Sequence, residues 1–222
     1  MDLKICGITN REELGILDQE GARYAGLWTG IAGHPKSLSD AKLAELAETA
    51  EHVTPVAVCV KRRVKELCAL LKHTPVRHVQ LHGFNAPRDV AYLKDQGMTV
   101  IKTVHVDDDG QSPIERLIDP YRDAGCDIFL IDRIGGAQAI GSTGVSLNAD
   151  IADHWGARLK GSRIWLAGGL TPDRICDLSE NGGFEAVDVD SAARIKGGAI
   201  HRKAARMLVL ASSPSTFFQA AS

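Results

Sequence analysis

Short apolar runs rich in β-branched residues alternate along this chain with longer segments whose apolar side chains recur at helical spacing. Leu3 to Ile5 is the first run, followed by a turn at Cys6-Gly7 and a predicted helix over 11–20. Tyr24 to Trp28 reads as a second strand; a Gly/Pro loop from Thr29 to Ser39 leads to a helix with Leu43, Leu46 and Ala47 on one face. Pro55 to Val60 is the third strand, followed by a helix through Val64, Leu67, Leu70 and Leu71. His78 to Leu81 is the fourth, closed by His82-Gly83, with a helix near 88–96. Val100 to Val104 is the fifth, leaving His105 and the acidic run Asp107 to Asp109 as solvated loop before a helix around 114–123.

Asp127 to Ile131 is the sixth strand and ends on Asp132; a Gly-rich loop from Gly135 to Gly144 precedes a helix near 148–155. Ile164 to Ala167 is the seventh, with Gly168-Gly169 after it and then Thr171-Pro172, a cap followed by proline at the first helical position. Ala186 to Val189 is the eighth, and a last helix is predicted over 199–211. Eight strand–helix units of roughly 25 to 30 residues make a parallel α/β architecture. A doubly wound sheet usually carries GxGxxG after its first strand. Here that turn is Cys6-Gly7-Ile8, so the count of eight points to a single-domain (β/α)8 TIM barrel over 1–211, with a polar tail over 212–222.

Composition removes several classes of function. Among 222 residues the formal net charge is −2, which gives no electrostatic case for nucleic acid or an anionic membrane. No apolar run approaches the ~20 residues that span a bilayer. The first strand begins within two residues of Met1, leaving no room for a signal peptide. Five cysteines without a CxxC pair fit a reducing cytoplasm better than a disulfide scaffold or a structural zinc site.

In such a barrel, function is read at the C-terminal strand ends. Cys6 ends the first strand, and Asp132 ends the apolar run Ile128 to Ile131, where packing alone gives no reason for a carboxylate. His82 stands at a strand end, to cap it or to line the site. Gly168-Gly169 and the segment from Asp188 occupy the edge where many barrels bind phosphate, although the glycines equally suit tight turns. No His/Asp/Glu cluster has metal-ligand spacing in the sequence, so no metal is expected.

Four segments together carry a family resemblance. Lys4-Ile5-Cys6-Gly7-Ile8-Thr9, Val79-Gln80-Leu81-His82-Gly83, Leu130-Ile131-Asp132 and Leu166-Ala167-Gly168-Gly169-Leu170-Thr171-Pro172 resemble, in order, the phosphoribosylanthranilate isomerases of tryptophan biosynthesis. The resemblance implies a cofactor-independent Amadori rearrangement of an aminoaldose phosphate to an aminoketose phosphate, with Asp132 as general acid and Cys6 as general base. It also implies that Asp132 is raised by desolvation and Cys6 lowered by nearby donors. Gly168, Gly169, Asp188, Ser191 and the loop residues Ser142, Thr143 and Gly144 fall on substrate-binding positions.

Three positions depart from the family pattern. Ser39 stands where the family carries the arginine assigned to the anthranilate carboxylate. Asp190 replaces a serine of the phosphate turn, and Arg133 follows the acid in place of threonine. An uncompensated carboxylate 4 Å from a phosphate charge costs about 4 kcal/mol at an effective dielectric near 20. Either Lys36 and Arg133 take over anion recognition, or the chain is a paralogue that isomerises another sugar or sugar-amine with Asp190 on its hydroxyls or amine. A third possibility is a silent binding barrel, which the retention of Cys6 and Asp132 argues against. In each case the partner is a small molecule, and the protein is expected to be a monomer or homodimer in the cytoplasm.

Overall fold

The computed structural model describes residues 1–134, 147–195 and 198–213. Its strands are β1 (Asp2–Ile5), β2 (Tyr24–Thr29), β3 (Thr54–Cys59), β4 (His78–Leu81), β5 (Thr99–Val106), β6 (Ile128–Arg133), β7 (Arg163–Leu166) and β8 (Ala186–Val189). They pair in parallel in sequence order, and β8 returns to β1, so the expected TIM barrel is closed. Around it lie α1 (Arg11–Glu20), α2 (Asp40–Thr49), α3 (Val64–Leu71), α4 (Pro87–Asp95), α5 (Ile118–Asp123), α6 (Ala149–Arg158), α7 (Pro172–Asn181) and α8 (Arg202–Ser212). No helix among the described residues is long and apolar enough to cross a membrane.

Local chemistry starts and stops these helices. Asn10 caps α1 by accepting the Glu13 N–H at 2.9 Å, and Glu13 reaches back to the Thr9 N–H and hydroxyl. Thr171 caps α7, with Pro172 at its first position.

The period of two along each strand sorts side chains into two cores. Leu3, Ile5, Leu27, Val79, Leu81, Phe129, Ile131 and Val187 face outward and pack in the layer under the helices. Tyr24, Val56, Ile101, Ile128, Leu130 and Trp165 fill the barrel interior. Each such side chain contributes roughly 1.5–3 kcal/mol when fully buried. Further along the strands, Cys6, Trp28 and Val58 begin the layer at the mouth.

The structure corrects one reading. His105 is not solvated loop: β5 runs on to Val106, pairing His105 with Asp132 and Val106 with Arg133, and His105 is buried. Two lesser differences follow local chain chemistry. The segment 114–123 splits into a 3-10 turn, Glu115–Leu117, and α5, with Pro120 supplying no N–H in the first turn. The last helix starts at Arg202.

Candidate functional site

Cys6 follows β1 directly, its N–H donating to the Val189 carbonyl at 2.8 Å. Its Sγ accepts the Trp28 indole N–H at 2.8 Å and the Lys4 ammonium at 3.2 Å. The same Lys4 Nζ lies 2.7 Å from Asp188 Oδ2, with the lysine wholly buried. Room for the sulfur comes from Gly26 on β2, where a Cβ would sit 2.6 Å from Sγ. Gly7 is required for two reasons: its φ is +74°, and a Cβ there would meet Lys36 Cδ at 2.8 Å.

These donors do not lower the thiol as expected from the sequence. Burial, reinforced by the Asp188 charge, outweighs Lys4 and Trp28 and pushes Cys6 up to about 11. Burial opposes the Lys4 ammonium, yet Asp188 and Cys6 together raise its pKa, so the charge persists.

Asp132, at the end of β6, shares a cavity at the barrel mouth with Cys6. Burial pushes its carboxyl up to about 7; the Asp188 charge adds to this, and Lys4 opposes it. A carboxylic acid therefore persists near neutrality in a site that also holds a thiol.

His82, Gly168, Gly169, Asp188, Asp190 and Ser191 line the same cavity, as does Arg133. Burial, with nearby His105, takes His82 well below the ordinary histidine value and keeps it neutral. Asp188 Oδ1 is buried without a hydrogen-bond partner among the described residues, an acceptor available to a ligand hydroxyl or amine. Ser142, Thr143 and Gly144 lie outside the described residues.

The three departures have structural explanations. Ser39 caps α2, its side chain accepting the Lys42 N–H. Lys36 pairs with Asp190 at 2.6 Å, and Arg194 holds the other oxygen of that carboxylate at 2.7 Å. Asp190 is thus neutralised from both sides. Arg194 also donates to the Gly7 carbonyl at 2.6 Å and pairs with buried Glu13, tying the β1 turn to the β8 turn. The Arg133 guanidinium grips Asp108 at 2.6 and 2.8 Å.

Lys4, Gly26, Trp28 and Arg194 carry no assigned role in the sequence, although Trp28 is one of the strand-end residues at which function is read. Period-two alternation carries a signal for the first three: Lys4 stands two residues before Cys6 on one face of β1, and Gly26 and Trp28 share one face of β2. Arg194 has no local signal, since its partners Cys6, Gly7 and Glu13 are distant in sequence.

A closed eight-stranded α/β barrel with a thiol and a carboxylic acid in one mouth cavity defines the class: a barrel equipped for proton transfer. The family model described as N-(5'phosphoribosyl)anthranilate (PRA) isomerase matches residues 3–207. A relative from Paramagnetospirillum magneticum, named N-(5'-phosphoribosyl)anthranilate isomerase, is 31% identical over 202 residues, covering 89% of this chain and 90% of its own. One of the same name from Paracoccus denitrificans is 32% identical over 206 residues, covering 89% and 90%. The crystal structure of phosphoribosyl anthranilate isomerase from Thermotoga maritima superposes with a TM-score of 0.81 at 22% identity, covering 96% of this chain and 99% of that one. A second crystal structure of such an isomerase, in complex with reduced 1-(o-carboxyphenylamino)-1-deoxyribulose 5-phosphate, has a TM-score of 0.77 at 21% identity and covers 96% and 99%. The chain belongs to the N-(5'-phosphoribosyl)anthranilate isomerase family.

Proposed function

We propose that this chain isomerises N-(5'-phosphoribosyl)anthranilate to 1-(o-carboxyphenylamino)-1-deoxyribulose 5-phosphate, a step of tryptophan biosynthesis. The carrying observation is that Cys6 and Asp132 line one cavity, Asp132 kept protonated near neutrality by burial and Cys6 bonded to a buried ammonium. Asp132 gives its proton to the furanose ring oxygen as the C1–O bond breaks, leaving a protonated Schiff base at C1. The Cys6 thiolate then removes the C2 proton, and that electron pair forms the C1–C2 double bond of an enolamine. Tautomerisation gives the ketone at C2, and the proton gained by sulfur returns to Asp132 through solvent. No cofactor is required by this sequence of steps.

Lys4 is the positioning residue of this scheme. Its ammonium bridges Cys6 Sγ and Asp188, so the thiolate forms against a fixed positive charge. His82 and Asp188 face the sugar from the cavity wall. The phosphate is assigned to the edge formed by Gly168, Gly169 and Ser191, over which Ser142, Thr143 and Gly144 follow by family resemblance. Asp190 does not repel it, because Lys36 and Arg194 hold that carboxylate. Lys36 and Arg133 enter anion recognition only by leaving Asp190 and Asp108. The enzyme is assigned to the cytoplasm, as a monomer or homodimer. Conversion of N-(5'-phosphoribosyl)anthranilate by the purified chain tests the proposal; no detectable conversion by folded protein overturns it.

A further inference from the structure

His82, His105 and Asp132 come together from β4, β5 and β6, each offering a ligand atom within 4.8 Å of the other two. The β5–β6 register sets His105 directly opposite Asp132, and the two imidazoles stand 4.7 Å apart, edge to face. Among the described residues His82 Nε2 is buried and has no hydrogen-bond partner, on a residue that is 6% exposed and lines the mouth cavity. An orphaned imidazole nitrogen beside a carboxylate at a cavity wall is an incomplete coordination site.

The far sides of both rings are anchored. His105 Nε2 lies 2.7 Å from the His82 carbonyl, which only accepts; the proton is therefore on Nε2, and Nδ1 is the nitrogen left to bind. His82 Nδ1 lies 3.4 Å from Thr103 Oγ1 and 3.3 Å from the Gln80 amide nitrogen. Gln80 Oε1 is itself buried and has no partner among the described residues. With that amide reversed, Oε1 accepts from His82 Nδ1, which places the ring proton there and leaves Nε2 as a lone pair. Metal-binding histidines are held in this way, the second ring nitrogen donating to a carbonyl or side-chain oxygen.

We propose that His82, His105 and Asp132 form a binding site for a divalent transition-metal ion of the zinc class. Zinc takes imidazole nitrogen and carboxylate oxygen tetrahedrally at about 2.0–2.2 Å, so ligand atoms on one ion lie about 3.3–3.5 Å apart. Small side-chain rotations close the present spacing to that value. Two imidazoles and one carboxylate leave a coordination position facing the cavity for water or a sugar oxygen. Resting on the isomerase reading given above, a bound ion occupies the Asp132 carboxylate in place of its proton and so inhibits turnover.

Calorimetric titration of the chelator-treated full chain with zinc tests the site, with cobalt(II) as the optical probe. One ion per chain is expected, with cobalt giving visible d–d bands and no thiolate charge-transfer band. His105→Gln, checked for folding by thermal melting, weakens zinc binding at least about 10–100-fold, the loss typical when even a group supporting a ligand is removed. Asp132→Asn weakens it likewise, and Cys6→Ser leaves it unchanged. In the metal-free state His105→Gln turns substrate over at the wild-type rate, and zinc no longer inhibits it. Absence of one-to-one binding, undiminished binding in both His105→Gln and Asp132→Asn, or loss of binding in Cys6→Ser overturns the proposal. Metal binding without isomerase activity removes only the isomerase reading, and isomerase activity without metal binding removes only the metal site.

Discussion

Two layers of the barrel interior, one deeper and one at the mouth, show how one scaffold divides its work. The lower layer is Tyr24, Val56, Ile101, Ile128, Leu130 and Trp165, apolar and packed. Further along the same strands, toward the mouth, stand Trp28, Val58, Thr103 and Asp132, joined by Cys6 of β1 and Asp188 of β8. Water is largely excluded from both layers, but the titrating thiol of Cys6 and carboxyl of Asp132 stand in the upper one. A buried Leu that loses its methyls leaves a cavity. A buried Asp132 instead keeps its proton, and burial drives the pKa upward. The same exclusion of water therefore stabilises the lower layer and sets the acid–base chemistry of the upper one.

Substitutions separate the layers, beginning with the largest effect. Asp132→Asn and Cys6→Ser each remove one proton-transfer group, and each is expected to lower kcat about 10²–10⁴-fold with little change in thermal melting. Steady-state kinetics beside a melting curve checks this. Leu130→Ala in the lower layer does the reverse: a loss of about 2–5 kcal/mol in urea denaturation, with kcat per folded molecule retained. Gly26→Ala sets a methyl against the sulfur, since the Cβ would lie 2.6 Å from Sγ. Displacing the base by about 1 Å costs roughly 10²-fold in kcat, and the Cβ, 3.0 Å from the Cys6 Cα as well, costs stability of about 1–3 kcal/mol through overpacking. Arg133→Ala breaks a pair with exposed Asp108 and is expected to shift stability by no more than about 1 kcal/mol.

The pH profile sharpens the contrast. With the base at about 11 and the acid at about 7, the productive form has thiolate and carboxylic acid together, the minority arrangement. Below about 7 the acid is fully protonated while thiolate falls tenfold per pH unit, so kcat/KM rises with slope one up to neutrality. Between about 7 and 11 the gain in thiolate cancels the loss of acid, giving a plateau. Asp132→Asn removes the break near 7, and its residual rate climbs on through that range. A wild-type bell centred below 7 would mean that Cys6 is lowered in the free enzyme.

The barrel was legible because apolar strand runs and helical periods alternate eight times, and the strand-end rule then located Cys6, His82, Asp132 and Asp188 at the mouth. Strand ends themselves were less legible. His105 followed the last residue of an apolar run, and only pairing with β6 shows that β5 continues through it. The thiol shift ran opposite to expectation because the sequence reveals neighbouring donors but not the extent of burial that opposes them. Asp190 raised a conflict with phosphate that local sequence could not resolve, since Lys36 lies 154 positions away. Long-range ion pairs of this kind are products of the fold, with no signature in a window of the chain.

The most direct measurement uses substrate carrying deuterium at C2 and follows its release into water. The wild-type chain is expected to release the label in step with product, and Cys6→Ser to release it about 10²–10⁴-fold more slowly while still melting at the wild-type temperature. Release at the wild-type rate by Cys6→Ser would contradict the assignment of Cys6 as the base.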